Sequence, residues 1–153
     1  MMTVIIYPNK KLYKKTEILE NINNKIIFFL KNMNFQMYKL FGIGLSSIQI
    51  NINRNFFITD VNKSFRNTKI FINPNIFKFS FNIIEIEEGC LSIKNIYNFV
   101  IRSSEIKMFS FNKYGKKKKI QANGLLSICI QHEIDHLNGK IFIQYASNLK
   151  YFF

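Results

Sequence analysis

Apolar residues recur along this chain with two different periods, and the change of period divides the chain into helical and extended segments. Between residues 17 and 40, large apolar side chains return every three or four positions, which is the spacing of one face of an α-helix. The stripe consists of Ile18, Ile22, Ile26, Phe29, Leu30, Met33 and Met37. It predicts an N-terminal amphipathic helix packed on the core, because that role is far commoner for such a stripe than contact with a cofactor.

Beyond this helix, apolar and polar residues alternate over short runs, which is typical of half-buried β-strands. The predicted strands lie near residues 55–60, 69–77, 81–88, 98–101, 104–113 and 118–122. The sequence Asn-Lys-Tyr-Gly at 112–115 is a turn signal between the last two runs. These two strands are therefore predicted to form a hairpin, with the lysines at 116–119 on a solvated arm.

A second helix is predicted over residues 124–138. Asn123 is a good N-cap residue, and Gly139 is a typical C-terminal stop. The apolar face between them consists of Leu125, Leu126, Ile128, Cys129 and Leu137. A helix, a series of strands and a buried second helix predict an α+β fold, in which small antiparallel or mixed β-sheets surround the second helix.

Length and composition indicate one domain over residues 1–153. With 48% hydrophobic residues, the chain is long enough for one well-buried core and too short for two ordinary domains. Cys90 and Cys129 lie in dissimilar contexts, which favours a reducing compartment over a disulfide framework. No stretch resembles a signal peptide or approaches the ~18 apolar residues of a membrane span.

The strongest chemical signal lies on the second predicted helix. His132 and His136 are the only histidines of the chain, and Glu133 directly follows the first of them. Four residues bring a helix almost back to the same azimuth with a rise of ~6 Å, so both imidazoles can bind one metal ion. Glu133 lies ~100° further round, where it is poorly placed as a ligand. This H-E-x-x-H motif therefore predicts a metal site with Glu133 as general base.

Catalytic metal sites of this kind usually take three protein ligands and leave one position for water, so a third ligand is needed. Peptidases with the motif take it downstream, but residues 137–153 contain no His, Asp or Glu. The upstream candidates are Cys90, Cys129, Asp60 and the glutamates. Cys129 lies about 10 Å from His136 along the helix axis, which places it in the core or in a pocket lining.

Cys90 is the favoured third ligand. It ends a strand-like run, and Gly89 before it allows a sharp turn or a close approach of the backbone to the ion. A lone cysteine is more often a small buried hydrophobe. The poor fit of the other candidates nevertheless favours Cys90.

Three segments resemble, in order and spacing, the signature motifs of the peptide deformylase family. They are Gly-Ile-Gly-Leu-Ser-Ser-Ile-Gln at 42–49, Glu-Gly-Cys-Leu-Ser at 88–92 and Gln-His-Glu-Ile-Asp-His-Leu-Asn-Gly at 131–139. One such motif would be weak evidence, whereas three in register are specific. The resemblance covers essentially the whole chain and implies the α+β fold of a bacterial-type enzyme with a short C-terminus.

Residue by residue, the resemblance implies the members of an active site. The implied metal ligands are Cys90, His132 and His136. The implied catalytic groups are Glu133 as acid and base, with Gln49 and the backbone N–H of Leu91 as oxyanion donors. The implied substrate pocket is lined by Ile43, Gly44, Glu88, Leu125, Ile128 and Cys129. Arg102 matches a family arginine expected beside Glu88, where a structural ion pair and a catalytic role are both open.

The implied reaction is hydrolysis of the N-formyl group on the initiator methionine of nascent chains, with release of formate. Metal-bound hydroxide attacks the formyl carbon, and Glu133 passes its proton to the departing amine. One divalent ion per chain is expected, with Fe(2+) as the native metal and Zn(2+), Ni(2+) or Co(2+) as substitutes. Two alternatives stand beside this interpretation: an H-E-x-x-H peptidase, and a degenerate or structural metal module with a basic binding surface.

Four positions depart from the family pattern. Ser46 and Ser47 stand where two alanines are usual, Ile48 where proline is common, and Lys94 where a proline often follows the cysteine motif. A buried hydroxyl at either serine needs a hydrogen-bond partner, or it costs ~1–3 kcal/mol. The chain also stops soon after Leu149. Ribosome docking through a long C-terminal helix, found in many bacterial deformylases, is therefore not expected.

The net charge of +13 and the pI near 9.8 suggest contact with nucleic acid. Much of this charge has another source, because alanine occurs only at Ala122 and Ala146 while Asn, Ile, Lys and Phe abound, as in an A/T-biased genome. The expected partners are N-formyl-methionyl nascent peptides and, weakly and electrostatically, the ribosome, with no specific DNA and no membrane. A monomer in the bacterial cytoplasm is expected, or in an organelle with bacterial-type translation.

Overall fold

The computed structural model describes residues 2–65, 67–145 and 150–151. Within these residues the chain forms two α-helices, α1 at Asn24–Lys39 and α2 at Gly124–Leu137. The described strands are β1 Gly44–Ser46, β2 Phe56–Thr59, β3 Lys69–Phe79, β4 Ile83–Cys90, β5 Ile93–Ser103, β6 Glu105–Phe111, β7 Lys117–Asn123 and β8 Lys150–Tyr151. The predicted α+β class is confirmed, and every paired strand in the described part of the chain is antiparallel.

The first helix begins later than the apolar stripe predicted. The side chain of Asn23 accepts a hydrogen bond from the backbone N–H of Ile26 and caps α1 at residue 24. Upstream, the Asn73 side chain pairs with both the N–H and the carbonyl of Leu19, which holds the backbone there in a non-helical conformation. Ile18 is 62% exposed. The seven residues from 17 to 23 therefore match a helical spacing without forming a helix.

The larger sheet has the strand order β1-β2-β3-β6-β7, and its strand β2 packs against a helix on each face. Phe56 and Ile58 of β2 point to one side, where they pack in a cluster with Leu30 and Met33 of α1. Phe57, between them, points to the other side and packs in a cluster with Ile130 of α2. Because successive side chains of a strand face opposite ways, one short strand anchors both helices. All four residues of β2 are buried.

The smaller sheet has the order β4-β5-β8 and carries the cysteine motif at the end of β4. β5 is longer than the predicted strand at 98–101, since polar residues such as Asn95 interrupt its alternation. β1 and β8 were not predicted, because two or three residues are too few to show a period. The expected lack of a long C-terminal helix falls mostly on residues outside the described ranges.

The predicted hairpin and the predicted helix stop are both confirmed. β6 and β7 pair from Glu105 with Asn123 to Phe111 with Lys117, and the loop between them closes with the N–H of Asn112 donating to the Lys116 carbonyl. Asn123 occupies the N-cap position of α2, but its side chain does not cap the helix.

At the other end of α2, Gly139 has a φ of 72°, and a Cβ there would collide with the backbone of Tyr13. The close approach of Tyr13 and the positive φ together require glycine at this position. No described helix is long and apolar enough to cross a membrane.

Candidate metal centre and active site

The end of β4 and one face of α2 bring three metal-ligand atoms together. The Sγ of Cys90 lies 3.2 Å from the Nε2 of His136, which in turn lies 3.2 Å from the Nε2 of His132. All three atoms lie within 4.8 Å of one another, and they form the one such group of His, Cys, Asp or Glu atoms among the described residues. Ligands ~2.1 Å from one tetrahedral ion lie ~3.4 Å apart, so a divalent ion fits this set.

The other candidate ligands lie elsewhere. The Asp60 carboxylate accepts hydrogen bonds from the hydroxyl of Tyr38 and from the hydroxyl of Ser64 and the backbone N–H of Phe65. Cys129 is buried beside the carbonyl of Ile43, as the helix geometry predicted. Burial raises the pKa of its thiol, which disfavours the thiolate needed for metal binding.

Gly89 makes room for an aromatic ring rather than for the ion. A Cβ at this position would lie 2.6 Å from a ring carbon of Tyr97 on the neighbouring strand. The φ of Gly89 is not positive. The chain does turn sharply directly after Cys90, which pairs with Ile93 across a two-residue turn, and the strand pairing shifts its register between Glu88 and Cys90.

A buried ionic network orients His132. The Nδ1 of His132 lies 2.9 Å from Oε2 of Glu88, which directs the opposite ring nitrogen toward Cys90. Arg102 donates two hydrogen bonds to Glu88 at 2.7 and 3.0 Å and one to Asp135 at 2.5 Å. Burial raises the pKa of Glu88, but the hydrogen bonds from Arg102 and His132 outweigh it and hold that pKa at about 2. Arg102 therefore forms a buried ion pair with Glu88, which in turn contacts the ring of His132.

Glu133 lies outside the group of three ligand atoms, and its carboxylate occupies a space kept open by Gly44. Its side chain is buried, and its Oε2 has no hydrogen-bond partner within the described part of the chain. A Cβ at position 44 would collide with Oε1 of Glu133 and lie 2.8 Å from the Sγ of Cys129. Burial raises the pKa of the Glu133 carboxyl to about 7. A buried carboxylate oxygen without a partner marks a place for a water or a substrate.

The carboxamide of Gln49 faces the same centre. Its Nε2 donates to the Sγ of Cys90 at 3.4 Å and to the Oγ of Ser92 at 3.1 Å. Leu91 directly follows Cys90 and covers Gly42 with its side chain. Gln49 and Leu91 therefore both border the ligand group.

A pocket of about 440 Å³ opens onto these groups. It contains every residue of the implied substrate pocket, namely Ile43, Gly44, Glu88, Leu125, Ile128 and Cys129. Leu40, Phe41, Ile86 and Tyr97 also border it and were not foreseen from the sequence. His136 lies behind the pocket wall, so of the two imidazoles the ring of His132 borders the pocket.

Both unusual serines are fully buried and have the partners that burial requires. The hydroxyl of Ser46 donates to Oε1 of Gln49 at 3.0 Å, and the hydroxyl of Ser47 donates to the carbonyl of Arg54.

Asp135 is a member of the Arg102 ionic network that sequence reasoning missed. Its position three residues after His132 was the available signal, since such residues share a helix face.

Comparisons with known proteins identify the family. A family model described as "Polypeptide deformylase" matches residues 1–151. Peptide deformylase of Blochmanniella pennsylvanica is 40% identical over 150 residues, which cover 98% of this chain and 86% of that protein. Peptide deformylase of Wigglesworthia glossinidia brevipalpis is 39% identical over 150 residues and 98% of each chain.

The fold agrees with the sequence match. A crystal structure of a peptide deformylase from Legionella pneumophila is similar with a TM-score of 0.92 and 30% identity, over 96% of this chain and 86% of that one. The resemblance that three short motifs indicated is thus confirmed along the whole chain. The chain belongs to the polypeptide deformylase family, and it is an enzyme that hydrolyses the N-formyl group from the amino-terminal methionine of polypeptides.

Proposed function

We propose that this chain deformylates nascent polypeptides at a divalent ion held by Cys90, His132 and His136, with Glu133 as the general acid and base. One observation carries the proposal. The three ligand atoms converge at the wall of an open pocket, beside a buried Glu133 oxygen that has no hydrogen-bond partner among the described residues. A purely structural metal site would have no need for such a carboxylate.

The roles of the protein groups follow from their positions. A divalent ion, when bound, supplies Lewis-acid chemistry that lowers the pKa of a water and polarises a carbonyl. Glu133 accepts the proton of the attacking water on its unpartnered oxygen and later donates it to the departing amine. Gly44 leaves the volume in which this carboxylate sits. The protonated amine then leaves as the new amino terminus, and formate is the second product.

Gln49 and Leu91 are the proposed oxyanion donors. The Nε2 of Gln49 lies 3.4 Å from a ligand sulfur, so a formyl oxygen near the ion would lie within its reach. The N–H of Leu91, the residue after Cys90, is proposed as the second donor. One such donor typically contributes ~3 kcal/mol to stabilisation of the transition state.

The substrate methionine is proposed to occupy the apolar part of the pocket. Ile43, Leu125, Ile128 and Cys129 present aliphatic and sulfur surface there. A methionine side chain is flexible and polarisable, and it packs well in such an irregular apolar space. Leu125 is 45% exposed and stands at the mouth, where a peptide backbone would enter.

Two assays on the metal-loaded protein test this function. Formate release from a formyl-Met-Ala-Ser peptide should be catalytic, and the same peptide without the formyl group should remain intact. Unblocked casein serves as the control for an H-E-x-x-H peptidase. Cleavage of internal bonds in casein without formate release would refute the proposal and favour the peptidase.

The proposed native metal is Fe(2+). A thiolate with two imidazoles accepts both ferrous iron and zinc, and a thiolate beside ferrous iron is open to oxidation. We expect protein reconstituted without oxygen to turn over faster with Fe(2+) than with Zn(2+), and to lose activity in air as Cys90 is oxidised. Mass spectrometry of both cysteines measures this, with buried Cys129 as the internal control. An unmodified Cys90 in air-inactivated protein that retains its metal would contradict it.

A weak electrostatic association with the ribosome is proposed from the surface charge. On the outer face of the β6–β7 hairpin, the Lys117 ammonium lies 4.7 Å from the ring centre of Phe109, and Lys119 lies 5.6 Å from that of Phe77. Cationic and aromatic groups together suit phosphates and unpaired bases. We expect cosedimentation with ribosomes to fall steeply between low and high salt. Binding that is unchanged over that range would contradict an electrostatic origin.

The proposed setting is a monomer in the bacterial cytoplasm, where formylated chains emerge from the ribosome. The bacterial relatives described above support this compartment. An organelle with bacterial-type translation would supply the same substrate.

A further inference from the structure

Ser46 donates two hydrogen bonds to the side-chain amide oxygen of Gln49. The backbone N–H of Ser46 donates to Oε1 of Gln49 at 2.9 Å, and the hydroxyl of the same serine donates to that oxygen at 3.0 Å. Ser46 is 0% exposed and Gln49 is 1% exposed, so water does not compete for these bonds. An amide oxygen has two lone pairs, and Ser46 uses both of them.

These two bonds decide which way the carboxamide nitrogen points. The backbone N–H of Ser46 can only donate, so it rejects the flipped amide in which Nε2 would face it. A single bond would still allow the planar amide to swing about its oxygen. The hydroxyl supplies a second fixed donor, and the Oγ of Ser92 receives Nε2 on the far side at 3.1 Å. The Gln49 amide is therefore held at its oxygen by Ser46 and at its nitrogen by Ser92, and Nε2 remains directed at Cys90.

We propose that Ser46 is a positioning residue for deformylation, whose hydroxyl keeps the Gln49 amide aimed at the oxyanion. This inference rests on the proposed role of Gln49. Ser46 itself touches neither the ligand atoms nor the pocket, so it acts only through Gln49.

A double-mutant cycle tests the inference in the metal-loaded protein. We expect Ser46→Ala to lower kcat for formate release about threefold at unchanged KM, because one net hydrogen bond of orientation is lost. Gln49→Leu should lower kcat much further. In the Gln49→Leu background, adding Ser46→Ala should leave kcat unchanged, because Ser46 acts only by orienting the Gln49 amide and that amide is absent.

Ser47→Ala is the matched control. It removes a neighbouring buried hydroxyl whose partner is the carbonyl of Arg54 rather than Gln49. It should lower the free energy of unfolding and leave kcat unchanged. Ser46→Gly, which removes the hydroxyl without adding a methyl group, should reproduce the kinetic result of Ser46→Ala.

Hydrogen exchange of the Gln49 side-chain amide tests the inference without measuring turnover. In ¹⁵N-labelled protein, the Nε2 protons of Gln49 should exchange with solvent faster in Ser46→Ala than in the parent chain, while Ser47→Ala should leave them slow. Parent-like kcat and exchange in Ser46→Ala would overturn the inference. So would a loss of kcat that persists in the Gln49→Leu background. Gln49→Leu with the kcat of the parent would refute the oxyanion role of Gln49, and with it this positioning role.

Discussion

Replacing Glu133 with alanine is expected to lower kcat for formate release by about 10²- to 10⁴-fold, which is the usual contribution of a general acid and base. The carboxylate is buried, borders the pocket and lies outside the group of three ligand atoms. Its removal should therefore abolish proton transfer without opening the metal site. Metal content per chain, measured by inductively coupled plasma mass spectrometry, should equal that of the parent.

Two further variants separate proton transfer by Glu133 from metal binding. Glu133→Gln keeps the shape of the side chain but cannot accept the proton, so it should be as slow as Glu133→Ala. Cys90→Ala should lose both metal and turnover, because two imidazoles alone hold a catalytic ion poorly. If Glu133→Ala lost its metal together with its activity, Glu133 would have a structural role and the proposed mechanism would be wrong.

Replacing Arg102 with leucine is expected to lower the free energy of unfolding by about 3–5 kcal/mol, the usual cost of leaving a buried charge without its partner. Arg102 and Glu88 are each only 7% exposed, and Arg102 also reaches Asp135 on α2. Loss of the guanidinium would leave the Glu88 carboxylate buried beside the ring of His132. Urea unfolding of the metal-loaded variant measures the change.

The matched control is Arg54→Leu. Arg54 pairs with Glu17 at the surface, where the two side chains are 46% and 62% exposed. Exposed ion pairs contribute at most about 1 kcal/mol, so this variant should unfold at nearly the urea concentration of the parent. Equal effects of the two substitutions would show that burial of the Arg102 network does not contribute to stability as proposed.

Much of the fold was predictable because its signals are local. Strand alternation indicated β2, β3, β4, β6 and β7 to within a few residues, and the glycine after α2 marked the end of that helix. The stripe at 17–40 misled at its start, because the capping bond of Asn23 and the Asn73 contacts of Leu19 decide where α1 begins. The contact between Leu19 and Asn73 joins residues 54 positions apart, so the local spacing of apolar residues cannot reveal it.

In the candidate site, too, some features were indicated by the sequence and others were decided by the structure. The chemistry of Arg102 was open from the sequence, since an arginine beside a glutamate suits a structural or a catalytic role. Its three hydrogen bonds to Glu88 and Asp135 show a buried ion pair, which favours the structural role. Ser46 raised the question of a partner for its hydroxyl, and the partner is Gln49, three residues further along in a local capping box whose Ser-x-x-Gln spacing was already present in the sequence.

The sequence by itself determined that His132 and His136 share one helix face with Glu133 beside them, because the geometry of a helix depends only on neighbours along the chain. Only the tertiary structure decided that the Sγ of Cys90 reaches those rings while the Asp60 carboxylate is taken up by Tyr38. Cys90 and His136 are 46 residues apart, and their meeting depends on how two sheets and a helix pack. That packing is a property of the whole buried core, which no single segment encodes.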